Sequence, residues 1–303
     1  DFCVQQKARI TFFSVLPLFS EFIDVFWGRT SLHELQQQLE KQARNDLKPT
    51  IDRLAQVLSI VPEVVIKHGS KVKEIISYVV EAEVDLLIKD NNSEYKDREQ
   101  ELGVIDHKLI RHCPCPVWFR RKNALKKEKA FNVVAINVDD ENDALEFELN
   151  KRLVELGDLL SLNNNSTLHL LYVWDFDANN LIKGSVEEQK YKELYDAAKD
   201  AAKKRLRDFI KKAKLESLSF ELHLIHGTPS RSIVNFCKEH PVDTLIIGSV
   251  GRSGVSGILI GNTAERVVDQ VDCSILVASP EKLKSQLVTA LQSDFRIEDA
   301  VIA

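Results

Sequence analysis

The chain has 303 residues, of which 44% are hydrophobic and 29% are charged, and its formal net charge is −5. This composition is typical of a globular protein long enough for two domains, and the negative charge argues against nucleic acid as a partner. No apolar run is long enough to cross a membrane, and no signal peptide is visible. The five cysteines are few and scattered, which predicts reduced thiols and a cytoplasmic protein.

In chain order, the first half carries strand signals separated by polar and amphipathic segments. The apolar segment 10–16 predicts a strand. A His-Gly-Ser sequence at 68–70 precedes an amphipathic stretch that leads to a second apolar segment at 85–88. The sequence Cys-Pro-Val-Trp at 115–118 predicts the last strand of this half.

The second half predicts a complete alternation of strands and helices. Apolar runs predict strands at 133–137, 167–174, 220–225, 242–247 and 274–278. Segments with a periodic apolar face predict helices at 144–160, 187–213 and 230–239, and a further helix begins near residue 264. Strands that alternate with helices imply a parallel sheet covered on both faces, and right-handed crossovers make such a sheet doubly wound.

The two halves repeat each other at a constant offset of 158 positions. The matched pairs are His68 and His226, Gly103 and Gly261, Cys115 and Cys273, and the segments 10–16 and 168–174. One register for all of them predicts a duplicated α/β unit.

The repeat also predicts the domain boundaries, which are a first domain at 1–123, a basic linker, a second domain at 131–280 and a tail at 281–303. Residues that match 133–137 would have to precede Asp1. We therefore expect the first domain to lack its first strand and most of its first helix, and the native chain to start earlier.

A glycine-punctuated loop follows the strand predicted at 242–247. Its glycines are Gly248, Gly251 and Gly261, and Asn262 and Thr263 come next. Glycines let backbone N–H groups approach an anion, and a helix N-terminus adds partial positive charge. The loop lacks the Lys-Ser/Thr pair of a P-loop and is not a GxGxxG sequence.

This spacing, Gly-x2-Gly-x9-Gly, resembles the universal stress protein family, whose nucleotide-binding members have Ser or Thr where this chain has Asn262. The segments 113–118 and 251–265 are similar to those of its tandem-domain (E-type) members. The resemblance covers most of the chain. It implies a stress-response protein of adenine nucleotide alpha hydrolase-like fold, with five parallel strands per domain in the order 3-2-1-4-5. It also implies that the two copies pack as an intramolecular pseudo-dimer, strand five against strand five, and leaves a homodimer of whole chains open.

The resemblance further implies a small-molecule site for ATP or another adenine nucleotide in the second domain, with Mg²⁺ present only together with the nucleotide. The site residues would be Asn137, Gly248, Gly251, Arg252, Gly261, Asn262 and Thr263. Arg252 can pair with a phosphate, although a solvated loop arginine is an equal alternative. The glycines and Asn262 have an alternative role in a tight turn and a helix N-cap.

Three substitutions weaken the expectation of nucleotide binding. Asn137 stands where nucleotide-binding relatives carry Asp, and Val138 adds bulk beside the expected nucleotide. In the first domain, Asp90 occupies the position of Gly248 and would set a carboxylate against a phosphate. We therefore expect no nucleotide in the first domain.

Three functions remain open from the sequence. The first is a ligand-sensing module in which the ligand shifts a conformational equilibrium. The second is a protein without nucleotide, whose clefts hold an apolar or lipid-like ligand or serve protein contacts. The third, a slow ATPase, is disfavoured because the loop offers no positioned base or metal-binding carboxylate.

No catalytic residue and no metal site are predicted. His107, His112, Cys113 and Cys115 form a short group of potential ligands, but the Cys-x-Cys spacing is unlike that of a zinc knuckle. The paired carboxylates at 139–140 lie in a polar stretch and are interpreted as solvated.

Overall fold

The computed structural model describes eight stretches of the chain. They are residues 8–18, 29–58, 61–90, 102–121, 130–140, 142–176, 186–249 and 261–280. The chain divides into two compact units, Asp1–Glu83 and Val84–Ala303. Among the described helices, none combines the length and the apolar character needed to cross a membrane.

The first unit contains two parallel strands and two helices. In chain order these elements are β1 (Thr11–Leu16), α1 (Arg29–Leu58), β2 (Glu63–His68) and α2 (Lys71–Glu81). Strands β1 and β2 form a parallel pair in which Thr11 is opposite Glu63. Helix α2 buries Ile76 and Val79, and its Tyr78 ring stacks on Phe13 with the ring centroids 4.7 Å apart.

The second unit is built around one seven-stranded sheet. Its elements begin with β3 (Leu87–Asp90), α3 (Val104–His112), β4 (Val117–Arg120), β5 (Phe131–Ile136), α4 (Ala144–Asn164) and β6 (Leu168–Trp174). They continue with α5 (Glu188–Lys212), β7 (Phe220–His226), α6 (Pro229–Glu239), β8 (Val242–Gly248), α7 (Asn262–Val268) and β9 (Ser274–Ala278). The strand order is β3-β4-β9-β8-β5-β6-β7.

The five strands of the second half confirm the predicted doubly wound fold. They lie in the order β7-β6-β5-β8-β9, which is 3-2-1-4-5 when they are numbered within that half, and all are parallel. Every residue of β5, β6 and β9 is buried. Strands covered by helices on both faces read as continuous apolar runs, which is why the sequence predicted them within a few residues.

The sheet joins the two halves of the chain through β4 and β9. These strands are antiparallel, with Trp118 opposite Leu276 and Phe119 opposite Ile275. They are the last strands of their respective repeats, so the predicted pairing of strand five with strand five is observed. We call this antiparallel pair of strands, β4 and β9, the seam. Next to it, the buried Arg121 donates hydrogen bonds to the carbonyl of Val271 and, at 3.5 Å, to that of Val268.

The duplication is visible element by element. Helices α2 (Lys71–Glu81) and α6 (Pro229–Glu239) begin and end 158 positions apart. Gly69 and Gly227 share an unusual backbone conformation, with φ of 146° and 149°. Gly103 and Gly261 are the N-caps of α3 and α7. The sequence repeat is therefore also a structural repeat.

The first repeat differs from the second in the arrangement of its described strands. Among the described residues, its strands lie in two separate sheets, β1 with β2 and β3 with β4, and none takes the central position that β5 holds in the second half. Strands β3 and β4 belong to the second compact unit because β4 pairs with β9. The domain boundaries 1–123 and 131–280 follow the repeat and stay a prediction.

Candidate functional site

The candidate site lies at the carboxyl ends of β5 and β8. The strand order reverses here, since the chain runs from β5 outward to β7 and then returns to β8 on the other side of β5. Open doubly wound sheets bind their ligands in the crevice at such a reversal. The structure has a cavity of about 280 Å³ beside the carboxyl end of β5, and its described lining residues are Asp139, Asp140, Asp143 and Glu146.

Helix α4 fixes the turn that follows β5. The side chain of Asn150 binds both main-chain groups of Asn137, because its Oδ1 accepts from the Asn137 N–H at 3.3 Å and its Nδ2 donates to the Asn137 carbonyl. The Asn137 side chain in turn donates to Glu146 Oε1. Asn137 is therefore bonded to one of the carboxyl groups that line the cavity, and its role in ligand binding stays a prediction.

Glu146 is an acid of the cavity with a raised pKa. Burial raises its pKa to about 7, Asp143 and Asp140 act in the same direction, and the hydrogen bond from Asn137 opposes them. Its Oε2 atom is buried and has no hydrogen-bond partner among the described residues. This carboxyl group can therefore gain or lose a proton near neutral pH.

Asp139 is held in place by a tyrosine and an arginine. Tyr172, on the fully buried strand β6, donates its hydroxyl hydrogen to Asp139 Oδ1. The Arg205 guanidinium donates to the Tyr172 hydroxyl at 3.1 Å and lies 3.5 Å from Asp139 Oδ1. Asp139 is therefore half-buried and paired, so its interpretation as a solvated carboxylate is wrong. The physical reason is that β6 and α5 place polar groups beside the turn.

The remaining two carboxylates have local backbone partners. Asp143 is the N-cap of α4, and its side chain accepts from the backbone N–H of Leu145 at 2.9 Å and of Glu146 at 3.0 Å. Asp140 is exposed and accepts from the Asn142 N–H at 2.9 Å. Both keep further lone pairs for a ligand, since a carboxylate accepts at several sites.

The glycines described in the loop have structural roles. A Cβ atom at Gly248 would lie 2.7 Å from Leu149 Cδ2, so the close approach of α4 to β8 requires glycine here. The Gly261 N–H donates to the Ser249 carbonyl at 2.6 Å and is thus occupied. Gly251 and Arg252 lie outside the described residues.

One sequence-based alternative needs correction at the start of α7. Gly261, with φ of −60° and ψ of 139°, is the N-cap, so the prediction that Asn262 caps this helix is wrong. The Gly261 carbonyl accepts the first helical hydrogen bond, from the Glu265 N–H at 3.1 Å. Asn262 is the first helical residue and is exposed, and Thr263 follows it half-buried.

The site therefore differs from a phosphate-binding loop in its charge. Its described walls carry four acidic side chains, whereas phosphate sites offer free N–H groups and cations. Sequence reasoning missed Asp139, Asp140, Asp143 and Glu146. The available signal was the placement of acids after a buried strand and at the start of the next helix.

The group of cysteines and histidines near residue 113 does not form a ligand set. The Sγ atoms of Cys113 and Cys115 are buried and lie 3.6 Å apart. His107 Nε2 instead lies 3.1 Å from a carboxylate oxygen of Asp269. Among the described residues, none of these side chains belongs to a group of three potential metal ligands.

The sequence matches the profile of the universal stress protein family over residues 2–121 and 133–279. Two curated proteins are each 28% identical to it. Universal stress protein E of Photorhabdus laumondii aligns over 231 residues, which are 75% of this chain and 71% of that protein. Universal stress protein E homolog of Haemophilus influenzae aligns over 252 residues, which are 82% and 79%.

Solved structures show the same fold at lower identity. A protein of unknown function from Pseudomonas aeruginosa superimposes with a TM-score of 0.62 at 20% identity, covering 96% of this chain and 89% of that one. A universal stress protein from Archaeoglobus fulgidus gives a TM-score of 0.59 at 18% identity, covering 89% and 87%.

Proposed function

The chain belongs to the universal stress protein family, and on this premise we propose that its second half is a ligand-sensing module of a stress response. The ligand is a small molecule bound at the carboxyl ends of β5 and β8. The observation that carries the proposal is the cavity of about 280 Å³ at the reversal of strand order. Ligands of doubly wound sheets occupy this position.

The ligand we propose is an adenine nucleotide that binds together with Mg²⁺. Nucleotide-binding relatives, as the loop resemblance implies, hold their ligand beside the residue equivalent to Asn137. A bare triphosphate would be repelled by the four carboxylates that line the cavity. Mg²⁺ prefers carboxylate and phosphate oxygens as ligands and would neutralise this repulsion. The acidic wall thus supports a nucleotide only in company with the cation.

Two neighbouring groups support a response to ligand binding. Glu146 has an unsatisfied buried oxygen and a pKa of about 7, so a cation beside it would favour the ionised form. Asn137, on the turn after β5, is bonded both to this carboxyl group and to Asn150 of the same helix. Binding can therefore bias the turn after β5 toward one arrangement, which is how a sensing module transmits occupancy.

The other candidate functions receive less support. A cavity lined by carboxylates gives no reason to propose an apolar or lipid-like ligand there. Hydrolysis is not part of the proposal. A cytoplasmic location is part of the proposal, because the five cysteines are few and scattered in the sequence.

Thermal unfolding with and without ligand tests the proposal. Millimolar ATP with Mg²⁺ is expected to raise the melting temperature, and ATP with EDTA is expected to have little effect. A ligand at 100 times its Kd adds about 2.7 kcal/mol to the free energy of unfolding. Phosphate release is measured on the same samples and is expected to stay at background.

A matched pair of variants locates the site. Asp140→Trp places a bulky side chain in the cavity and should abolish the temperature shift. Asp196→Trp makes the same change on the exposed side of α5 and should retain it. No shift in the wild-type protein, or an equal shift in both variants, would reject the proposed site.

A further inference from the structure

Three potential metal ligands meet at the opposite end of the sheet, near the amino ends of β6 and β7. His169 on β6 is directly opposite Glu221 on β7. His223 lies two residues beyond Glu221, so its side chain leaves the same face of the strand. One ligand atom from each of the three residues lies within 4.8 Å of the others.

The two imidazoles are hydrogen-bonded to each other, and their nitrogen atoms lie near the separation of two ligands of one ion. His169 Nδ1 and His223 Nε2 are 2.8 Å apart, and His169 Nδ1 is 4.0 Å from Glu221 Oε2. Two ligands of a tetrahedral Zn²⁺ ion, each about 2.0 Å from the metal, are separated by about 3.3 Å. Small rotations of the side chains would thus admit an ion without a change of backbone.

Neighbouring side chains hold the two rings in orientation. His169 Nε2 is 3.1 Å from Thr167 Oγ1, and its ring stacks on Phe131 with the centroids 3.6 Å apart. The His223 ring packs against the edge of Phe236 at 4.8 Å. Metal-binding histidines commonly hydrogen-bond through the second ring nitrogen, as His169 does with Thr167.

The charge state suits a cation. Burial lowers the pKa of both His169 and His223, and the neutral imidazole is the form that binds a metal ion. The Glu221 side chain is 66% exposed. It adds one negative charge to the cluster, and its exposure lets an ion reach the cluster from solvent. Among the described residues, His240 is a further titratable group near the cluster, with its ring centroid 6.5 Å from that of His223.

We propose that His169, Glu221 and His223 form a binding site for a divalent transition-metal ion of the Zn²⁺ type. Two imidazoles and one carboxylate are a ligand set that Zn²⁺ takes in proteins, and three protein ligands leave the fourth position to water. The ion would tie the edge strand β7 to β6. The site is independent of the crevice at the carboxyl ends, so either proposal can fail without the other.

Calorimetric titration with ZnCl₂ tests the site on protein that carries no histidine tag. We expect one equivalent of Zn²⁺ to bind, and Glu221→Gln and His223→Gln to weaken the affinity by at least about tenfold. The matched controls are Glu216→Gln and His33→Gln, which change an exposed glutamate and an exposed histidine elsewhere. Equal affinity in all four variants, or no binding by the wild type, overturns the proposal.

Substitution of Co²⁺ for Zn²⁺ shows whether the ion is bound by this cluster or by the thiols of Cys113 and Cys115. Coordination by His and Glu gives visible bands without thiolate-to-cobalt charge transfer. A charge-transfer band would assign the ion to the cysteines and overturn the proposal. Glu221 is exposed, so Glu221→Gln is expected to fold, and its melting temperature without metal confirms this.

Discussion

Asn150 binds the main chain of Asn137 at both of its polar groups, as acceptor from the N–H at 3.3 Å and as donor to the carbonyl. Asn150 is buried, with 4% of its surface exposed, so neither bond is readily replaced by water. The turn at the carboxyl end of β5 therefore depends on one side chain of α4.

Replacing Asn150 by Asp tests this dependence. The carboxylate can still accept from the Asn137 N–H, but it offers no donor to the carbonyl and buries a charge. We expect the free energy of unfolding to fall by about 1–3 kcal/mol, measured by urea denaturation at pH 7. Asn142→Asp, at an exposed position two residues beyond Asp140, is the control and should change little. Equal losses of unfolding free energy in both variants would show that the two hydrogen bonds of Asn150 do not contribute to stability.

The raised pKa of Glu146 predicts a pH dependence of stability. In the folded protein this carboxyl group has a pKa of about 7, against about 4.3 in an unfolded chain. The folded state therefore binds more protons between these values, and the group's contribution is present below pH 4.3 and lost as the pH rises through 7. Glu146→Gln should flatten this part of the profile, and should raise stability at pH 8 by about 1–2 kcal/mol after allowance for solvent screening.

Urea denaturation at pH 5 and pH 8 measures this effect. The control is Glu148→Gln, an exposed glutamate on the same helix, which should keep the wild-type difference between the two pH values. If Glu146→Gln also keeps that difference, Glu146 does not titrate in this range.

Among the turn glycines, Gly69 and Gly227, whose φ is near +150°, should lose the most stability when they are replaced by alanine. Gly227→Ala would force an L-residue into a region that only glycine enters freely, and its Cβ would lie 2.8 Å from Ser232 Oγ. We expect losses of about 1–3 kcal/mol for Gly227→Ala and for the matching Gly69→Ala. Gly103→Ala, whose Cβ would meet its nearest neighbour at 3.6 Å, should cost less, about 0.5–1 kcal/mol, because alanine is a poorer N-cap than glycine. Thermal or urea unfolding of the three variants gives the comparison.

Gly248→Ala separates packing from ligand binding. The added Cβ would overlap Leu149 on α4, and overpacking of this kind costs about 1–3 kcal/mol. If Gly248 serves only this contact, the variant will be less stable but will show the same ligand-induced shift in melting temperature as the wild type. A lost shift at unchanged stability would instead indicate contact with the ligand.

Much of the fold could be predicted because its signals are local and repeated. Strands such as β5 and β6 are buried along their whole length and appear as apolar runs, and the offset of 158 positions locates each element twice. The strand order 3-2-1-4-5 was implied by the family resemblance alone, because apolar runs do not indicate which strands are neighbours in the sheet.

The site was predicted less well because its contacts depend on register and on helix orientation. Asp139 meets Tyr172 and Arg205 only when β6 and α5 are in place. His169 and Glu221 are 52 positions apart in sequence and become neighbours only through the pairing of β6 with β7. The role of Gly248 in packing likewise requires knowledge of which helix crosses β8.

The antiparallel seam between β4 and β9 has a consequence for how the two repeats can diverge. Each repeat finds its complement within the same polypeptide, at a fixed one-to-one stoichiometry and independently of protein concentration. Strand β4 therefore has to fit only β9, and β9 only β4. Neither strand has to pair with an identical copy of itself. Asymmetry such as Asp90 in one repeat and Gly248 in the other can accumulate without loss of the assembly, and one repeat is free to specialise.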